Sequence, residues 1–124
     1  MKSIAMVPIL MGALLSSAAS SAEQVMSAGD LQQLCTGTDH VSVNVCRVYI
    51  LGVTEGISLG MKLAAGKTAS GRPCVPRDIS GDALELVVKT KLGTLSSPTD
   101  RDADASRFIG AALGAAFPCQ KATH

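Results

Sequence analysis

The sequence is poor in aromatic residues, with no tryptophan, one tyrosine and two phenylalanines among 124 residues. Proteins that bind single-stranded nucleic acid stack the bases on aromatic rings, and this chain offers almost none. It also lacks an excess of one charge, because 11 Lys and Arg residues are balanced by 10 Asp and Glu residues. We therefore expect no basic surface of the kind that attracts nucleic acid or anionic lipid.

The sequence also lacks an apolar run that is long enough for a comfortable membrane span. The clearest apolar run, Ile4–Leu15, falls short of the roughly 20 residues that a transmembrane helix needs. Lys2 precedes this run and the small residues Ser20-Ser21-Ala22 follow it, which predicts a secretory signal peptide over residues 1–22. Residues 23–124 are then expected to form one soluble, exported domain without stable membrane association.

The remaining sequence has an even number of cysteines, which indicates two disulfide bonds in an exported protein. The four are Cys35, Cys46, Cys74 and Cys119. A core of Ala, Val, Leu and Gly buries little area per residue, so covalent links are expected to stabilise it. Zinc is the competing interpretation, with His40 or His124 as further ligands. The spacings match no common zinc motif, so we expect neither a metal nor another cofactor.

Cap residues and apolar periodicity predict four helices. The expected segments are Ser27–Cys35, a run from Ser42 or Asn44 to Gly60, a helix capped by Ser80, and a last helix from about Asp100 to Phe117. The β-branched residues of the second segment also permit a strand, but its length and its lack of strict alternation favour a helix. The sequence thus predicts a small all-α bundle of about four to five helices, held by disulfides and arranged as two antiparallel hairpins.

This hairpin arrangement predicts the disulfide pairing. The end of the first helix meets the start of the second, which brings Cys35 to Cys46. The approach to the third helix lies beside the exit from the last one, which brings Cys74 to Cys119. Each disulfide stabilises the fold because it reduces the conformational entropy of the unfolded chain. This stabilisation is about 3 kcal/mol for the short loop and about 4 kcal/mol for the long one.

The segment Gly56–Gly60 spells G-x-S-x-G, the pattern of a hydrolase nucleophile elbow with Ser58 as nucleophile. An elbow requires a strand, a sharp turn and a helix within an α/β sheet, and no such sheet is predicted here. The only downstream histidine is the terminal His124. Gly52, Gly56 and Gly60 are better explained as a small helix face that lets a neighbour approach closely. The sequence therefore predicts no enzyme.

Two acidic features have both a functional and a structural interpretation. Glu55 could be a functional carboxylate in the apolar helix, but such a residue is more often exposed at an edge or paired with an arginine such as Arg47 or Arg107. The acidic cluster from Asp100 to Asp104 could be a recognition patch. The favoured interpretation is that it caps the start of the last helix, where the helix dipole favours negative charge, and the two roles are compatible.

A set of residues spread along the chain is typical of one known family. The set comprises Leu34-Cys35, Cys46, Tyr49-Ile50-x-Gly52-x-x-x-Gly56, Cys74-x-Pro76, Leu84-x-x-Val87-Val88, Pro98 and Ala115-Ala116-Phe117-Pro118-Cys119. In this order and spacing the sequence resembles the Rap/Tai family of type VI secretion amidase immunity proteins, from about Ala28 to Cys119.

The resemblance implies an all-helical periplasmic protein that binds and blocks a peptidoglycan amidase effector delivered by neighbouring or sister cells. It also implies a homodimer that occludes the active-site cleft of the toxin with loops. Relatives often carry an aromatic residue near the end of the third helix, where this chain has Lys91-Leu92-Gly93. Contact residues are therefore not carried over from the relatives.

The contact surface is expected in two polar loops, Ala64–Arg72 and Gly93–Asp104, which lie outside the predicted core. The predicted partner-binding residues of the second loop are Ser96, Ser97, Asp100 and Arg101. Two alternative functions are a periplasmic stress chaperone, which would expose apolar surface at low pH, and a small-ligand-binding protein with a pocket between the hairpins. With only two histidines, carboxylates would have to supply the pH switch of such a chaperone.

Overall fold

In the computed structural model, which describes residues 25–64 and 72–119, the chain forms five α-helices. They are α1 (Ala28–Thr36), α2 (His40–Leu63), α3 (Gly81–Leu92), α4 (Pro98–Asp102) and α5 (Ala105–Ala116). The predicted all-α fold is thereby confirmed. The predicted signal peptide, residues 65–71 of the first polar loop and His124 lie outside the described residues.

A Ser or Asp side chain caps the start of every one of these helices. At α1 the Ser27 hydroxyl accepts a hydrogen bond from the Asp30 amide at 3.1 Å, while the Asp30 carboxylate accepts one from the Ser27 amide at 3.2 Å. Such bonds satisfy amide groups that have no partner within the first turn of a helix. The predicted cap Ser80 is confirmed, since its hydroxyl accepts from the Ala83 amide at 3.2 Å.

The core lies where α2 packs against α1, α3 and α5. Its fully buried members with the largest side chains are Leu31, Cys46, Ile50, Val88, Leu92, Ile109 and Leu113. The predicted disulfides are both present: Cys35 is bonded to Cys46 and Cys74 to Cys119. The first bond ties α1 to α2, and the second ties the approach of α3 to the end of α5, as the two-hairpin arrangement requires.

The prediction of one continuous last helix from Asp100 to Phe117 is wrong, because the chain breaks into α4 and α5 at Ala103. At the break, this segment forms two backbone hydrogen bonds with the chain around the start of α1. The Ala28 amide donates to the Ala103 carbonyl at 2.7 Å, and the Ala105 amide donates to the Met26 carbonyl at 2.9 Å. Ala103 takes an extended conformation to make this contact. Asp104 then caps α5 as a separate helix.

The start of α2 also differs from the prediction. His40 was expected in a turn, with the helix beginning at Ser42 or Asn44, but His40 is the first residue of α2. The cause is Asp39, whose carboxylate accepts a hydrogen bond from the Ser42 amide at 2.9 Å and so acts as the cap. The helix runs on to Leu63, three residues beyond the predicted end at Gly60.

The capping carboxylates predict how stability depends on pH. Hydrogen bonds from Ser42 lower the pKa of Asp39, and hydrogen bonds from Ser106 lower the pKa of Asp104. A group with a depressed native pKa stabilises the fold above its unfolded pKa of about 3.9, and this stability is lost as the pH falls through the native pKa. We expect the variant Asp39→Asn/Asp104→Asn to lose less stability between about pH 5 and pH 2, because Asn caps a helix without titrating.

Urea unfolding at a series of pH values measures this difference. The matched control is Asp78→Asn, which removes an exposed carboxyl that makes no side-chain hydrogen bond among the described residues. We expect the control to lose stability in acid as steeply as the wild type. Equal slopes for the cap variant and the wild type would contradict the assignment.

Candidate functional site

The four predicted partner-binding residues lie together at the end of the bundle that carries α4. Ser97 caps α4, where its hydroxyl donates to the Asp100 carboxylate at 2.6 Å and accepts from the Asp100 amide at 3.1 Å. Arg101 donates to the Gln32 side chain of α1 at 2.9 Å. Ser96, Asp100 and Arg101 are exposed, and Ser97 is half-buried. We call Ser96, Ser97, Asp100 and Arg101 the α4 patch.

The segment that carries the α4 patch is not a loop outside the core, and that part of the prediction is wrong. Leu95 is only 8% exposed and belongs to the core. The helix α4 packs directly against α1, where Gly29 makes room for it: a Cβ atom at Gly29 would lie 3.2 Å from the Cβ of Arg101. The α4 patch is therefore fixed to the bundle, because Leu95 packs in the core just before Ser96 and α4 packs against α1 just after it.

A second feature is an apolar stripe on the solvent side of α2. At about 100° per residue, seven positions fall on one side of this helix. We call them the α2 stripe: Val41, Val45, Val48, Gly52, Gly56, Leu59 and Leu63. Val41 is 71% exposed, Val48 69% and Leu63 81%, which is unusual for aliphatic residues sharing one face. Within the described ranges, no helix meets the length and hydropathy that a membrane span requires.

The prediction that Gly52, Gly56 and Gly60 admit a neighbouring element is wrong within one chain. Within residues 25–64 and 72–119, a Cβ atom at any of the three would meet no other atom within 4 Å, so this part of the chain leaves open space beside all three. By contrast, a Cβ at Gly110 of α5 would lie 3.6 Å from the Ile57 side chain. The α2 helix is apolar on two sides, and the side with Cys46, Ile50 and Ile57 faces the core.

A third feature is a groove of about 1130 Å³ between the C-terminal half of α2 and the irregular segment 73–79. We call it the α2 groove. Its apolar lining includes Leu59, Met61, Val75, Ile79 and Leu84. The Cys74–Cys119 disulfide anchors the outer wall to the end of α5, and the Cys74 amide donates to the Phe117 carbonyl at 2.8 Å. A pocket between the hairpins was one alternative from the sequence, but the residues that line this groove could not be predicted because they depend on the packing of an irregular segment.

The residues of the G-x-S-x-G match do not form a nucleophile elbow. Ser58 lies inside α2, and its hydroxyl donates to the Thr54 carbonyl at 3.0 Å. His40 is exposed at the first turn of the same helix. Among the described residues, no group of three His, Cys, Asp or Glu side chains is placed to hold a metal ion. The Ser58 hydroxyl is thus bonded back to its own helix and makes no hydrogen bond to a histidine or a carboxylate among the described residues.

Glu55 occupies the exposed edge position that was expected for it. Arg47, one of the two arginines considered as a partner for it, makes ion pairs with Asp82 and Glu85 of α3 instead. Lys89 completes this network, 2.6 Å from the other oxygen of Glu85. Glu55 itself makes no ion pair with any described residue. Glu55 therefore borders both the α2 stripe and the α2 groove, with no ion-pair partner in the part of the chain that the structure describes.

Comparison with known proteins adds one finding to this geometry. The family model described as Rap1a immunity proteins matches residues 27–119. The matched range begins at the cap of α1 and ends at Cys119, so it contains all five helices and both disulfides. Neither the curated proteins nor the solved structures give a significant match. Since the family model covers most of the sequence, the chain belongs to the Rap1a family of immunity proteins.

Proposed function

We propose that this protein binds a peptidoglycan amidase effector of a type VI secretion system in the periplasm and occludes its active site. The observation that carries the proposal is the family match over residues 27–119, because an immunity protein acts against a secreted effector. The amidase as target follows from the sequence resemblance to the Rap/Tai proteins. The protein would act by binding alone, with no chemical step of its own.

The α4 patch is the proposed contact with the effector. It presents hydroxyl groups, a carboxylate and a guanidinium group in positions fixed by α4 and by the bond from Arg101 to Gln32. A surface that is already ordered loses little conformational entropy when it enters a cleft, which favours tight binding. We assign Ser96, Ser97, Asp100 and Arg101 to this contact.

The periplasm is the proposed site of action, reached by export and removal of residues 1–22. Both disulfides support this location, since such bonds form in oxidising compartments. All four cysteines of the chain are used in them. The protein would thus meet its effector in the compartment that contains peptidoglycan.

Co-expression with an amidase encoded next to this chain's gene tests the proposal. When the amidase is directed to the periplasm, we expect the full-length chain to prevent lysis. A version lacking residues 1–22 should give no protection, because it stays in the cytoplasm. Failure of the full-length chain to protect, together with the absence of a complex between the purified proteins, would overturn the proposal.

We further propose that the protein is a homodimer that pairs through the α2 stripe. In an antiparallel, twofold pairing centred on Gly52, Val48 of one copy lies opposite Gly56 of the other, and Val45 lies opposite Leu59. The open space beside Gly52 and Gly56 allows the two helices to approach closely. This pairing would remove the exposed aliphatic side chains of α2 from water.

The prediction from this dimer is that Val48→Glu produces a monomer. A carboxylate on each copy at the helix crossing would have to be desolvated, which opposes association. Light scattering after size-exclusion chromatography should give twice the chain mass for the wild type and a single chain mass for Val48→Glu. Leu86→Glu, on an exposed α3 position, is the control and should remain dimeric. A monomeric wild type would contradict the dimer.

A periplasmic stress chaperone is the second candidate function, and the exposed aliphatic residues of the α2 stripe are the observation that favours it. Such a protein would hold unfolded clients on apolar surface. Light scattering by an unrelated aggregating client in acid tests this function. Suppression by the wild type and not by Val48→Glu would support the chaperone; equal aggregation with and without the wild type would exclude it.

A further inference from the structure

The floor of the α2 groove is apolar because its polar groups are bonded within their own elements. The Thr54 hydroxyl donates to the Ile50 carbonyl at 2.8 Å, and the Ser58 hydroxyl donates to the Thr54 carbonyl at 3.0 Å. On the opposite wall, Pro73 and Pro76 have no amide hydrogen. The groove therefore offers hydrocarbon surface that a partner can cover without leaving these groups unpaired.

The rim of the groove carries three exposed charges: Glu55, Lys62 and Arg77. None of them makes an ion pair within residues 25–64 and 72–119. Two of the three are positive, so the rim favours a partner that brings carboxylates. An apolar floor with unpaired charges at its edge resembles the core and rim of a protein interface.

The outer wall of the groove is held in place before any partner arrives. The Cys74–Cys119 disulfide fixes one end of the segment, and the half-buried side chains of Val75 and Ile79 pack against the core. As far as the described residues reach, the groove is open along one side. A small ligand usually has most of its surface buried in its site, so an open groove suits a polypeptide segment better.

We propose that the α2 groove is a second docking surface for the effector and that it binds a segment carrying aliphatic side chains next to a carboxylate. This inference rests on the proposed function. The aliphatic side chains would lie on Val75, Ile79 and Leu84, and the carboxylate would approach Lys62 and Arg77.

The two docking surfaces lie at opposite ends of α3. Lys91, in its last turn, lines a small cavity with Asp100 of the α4 patch, whereas Ile79 and Leu84 at its start line the groove. A helix of 12 residues is about 18 Å long. Contacts at both ends would spread the interface toward the roughly 800 Å² per partner that stable complexes bury.

The test uses the mature protein, residues 23–124, and the amidase that the protection experiment identifies. Arg77→Glu reverses one rim charge, and Arg107→Glu makes the same change on an exposed α5 position outside both surfaces. We expect Arg77→Glu to weaken binding in calorimetry by about 30-fold or more, because like charges would then meet in the interface. Arg107→Glu should stay within about threefold of the wild type.

A crosslinking measurement identifies what occupies the groove. A photoreactive benzoylphenylalanine in place of Met61, an uncharged and half-buried residue of the groove lining, should crosslink to the amidase, at a segment with aliphatic and acidic residues. If the wild type binds the amidase but Arg77→Glu binds within about threefold of it, the groove is not a docking surface, and the proposed function still stands. Crosslinks only to a second copy of this chain would also overturn the inference. Failure of the wild type to bind would remove both proposals.

Discussion

Replacing Cys74 and Cys119 with serine is expected to lower the free energy of unfolding by about 4 kcal/mol. The disulfide joins residues 45 positions apart, so its loss restores much conformational entropy to the unfolded chain. Both residues are exposed, and serine at these positions leaves no cavity. A domain of this size has a net stability of about 5–10 kcal/mol, of which this bond would supply about half.

Urea unfolding followed by far-ultraviolet circular dichroism measures this effect, because the chain has no tryptophan for fluorescence. The comparison variant is Cys35→Ala/Cys46→Ala, which opens a loop of only 11 positions. Its loop entropy accounts for about 3 kcal/mol, and the fully buried Cys46 adds a packing loss. A loss below about 1 kcal/mol for the serine variant would show that the Cys74–Cys119 bond does not hold the fold as we describe.

Leu113→Ala is expected to cost about 3 kcal/mol of unfolding free energy. Leu113 is 0% exposed and lies in the core that α5 forms with α2 and α3. Removing its side chain leaves a cavity, and the neighbouring backbone, tied by the disulfide at the end of α5, is poorly placed to close it. Denaturant unfolding of purified variants at neutral pH gives the difference.

Leu86→Ala is the matched control for this change. Leu86 is 67% exposed on α3, so the same truncation removes little buried surface there. We expect its unfolding free energy to stay within about 0.5 kcal/mol of the wild type. Equal losses for Leu113→Ala and Leu86→Ala would contradict the assignment of the α5 face to the core.

Local signals in the sequence were sufficient for the caps of α1 and α3 and for the disulfide pairing. Ser27 and Ser80 are small polar residues directly before apolar periodic segments, and each caps a helix in the structure. The pairing of Cys35 with Cys46 needed only the assumption that consecutive helices form hairpins. These features depend on residues close in the sequence or on simple connectivity, which is why they could be predicted.

The break in the last helix could not be predicted with the same ease, because it depends on a distant contact. Ala103 and Ala105 bond to the backbone before α1, some 75 residues earlier in the chain. The local signal was Asp104 followed by Ser106. The Asp104 carboxylate caps α5, accepting hydrogen bonds from the Ser106 amide at 2.8 Å and from the Ser106 hydroxyl at 2.6 Å. Three aspartates in one short segment allowed more than one helix start, and only the tertiary contact selects Asp104.

The sequence also did not determine which of the two apolar sides of α2 packs into the core. Periodicity showed that the helix is apolar almost all round, which indicated a central helix. The side with Ile50 and Ile57 is central, but the side with Val48 and Gly52 faces solvent within one chain. Which side packs inward depends on the neighbouring helices. The exposed α2 stripe and the α2 groove beside it consequently emerged only from the structure.

The central claim is that the protein stops a peptidoglycan amidase by covering its active site. The most direct measurement is the hydrolysis of purified peptidoglycan by the amidase encoded beside this chain's gene, with increasing amounts of the oxidised mature protein. We predict that activity falls in proportion to the added protein and is lost at one chain per amidase. Undiminished hydrolysis in the presence of a large excess of the protein would contradict the claim.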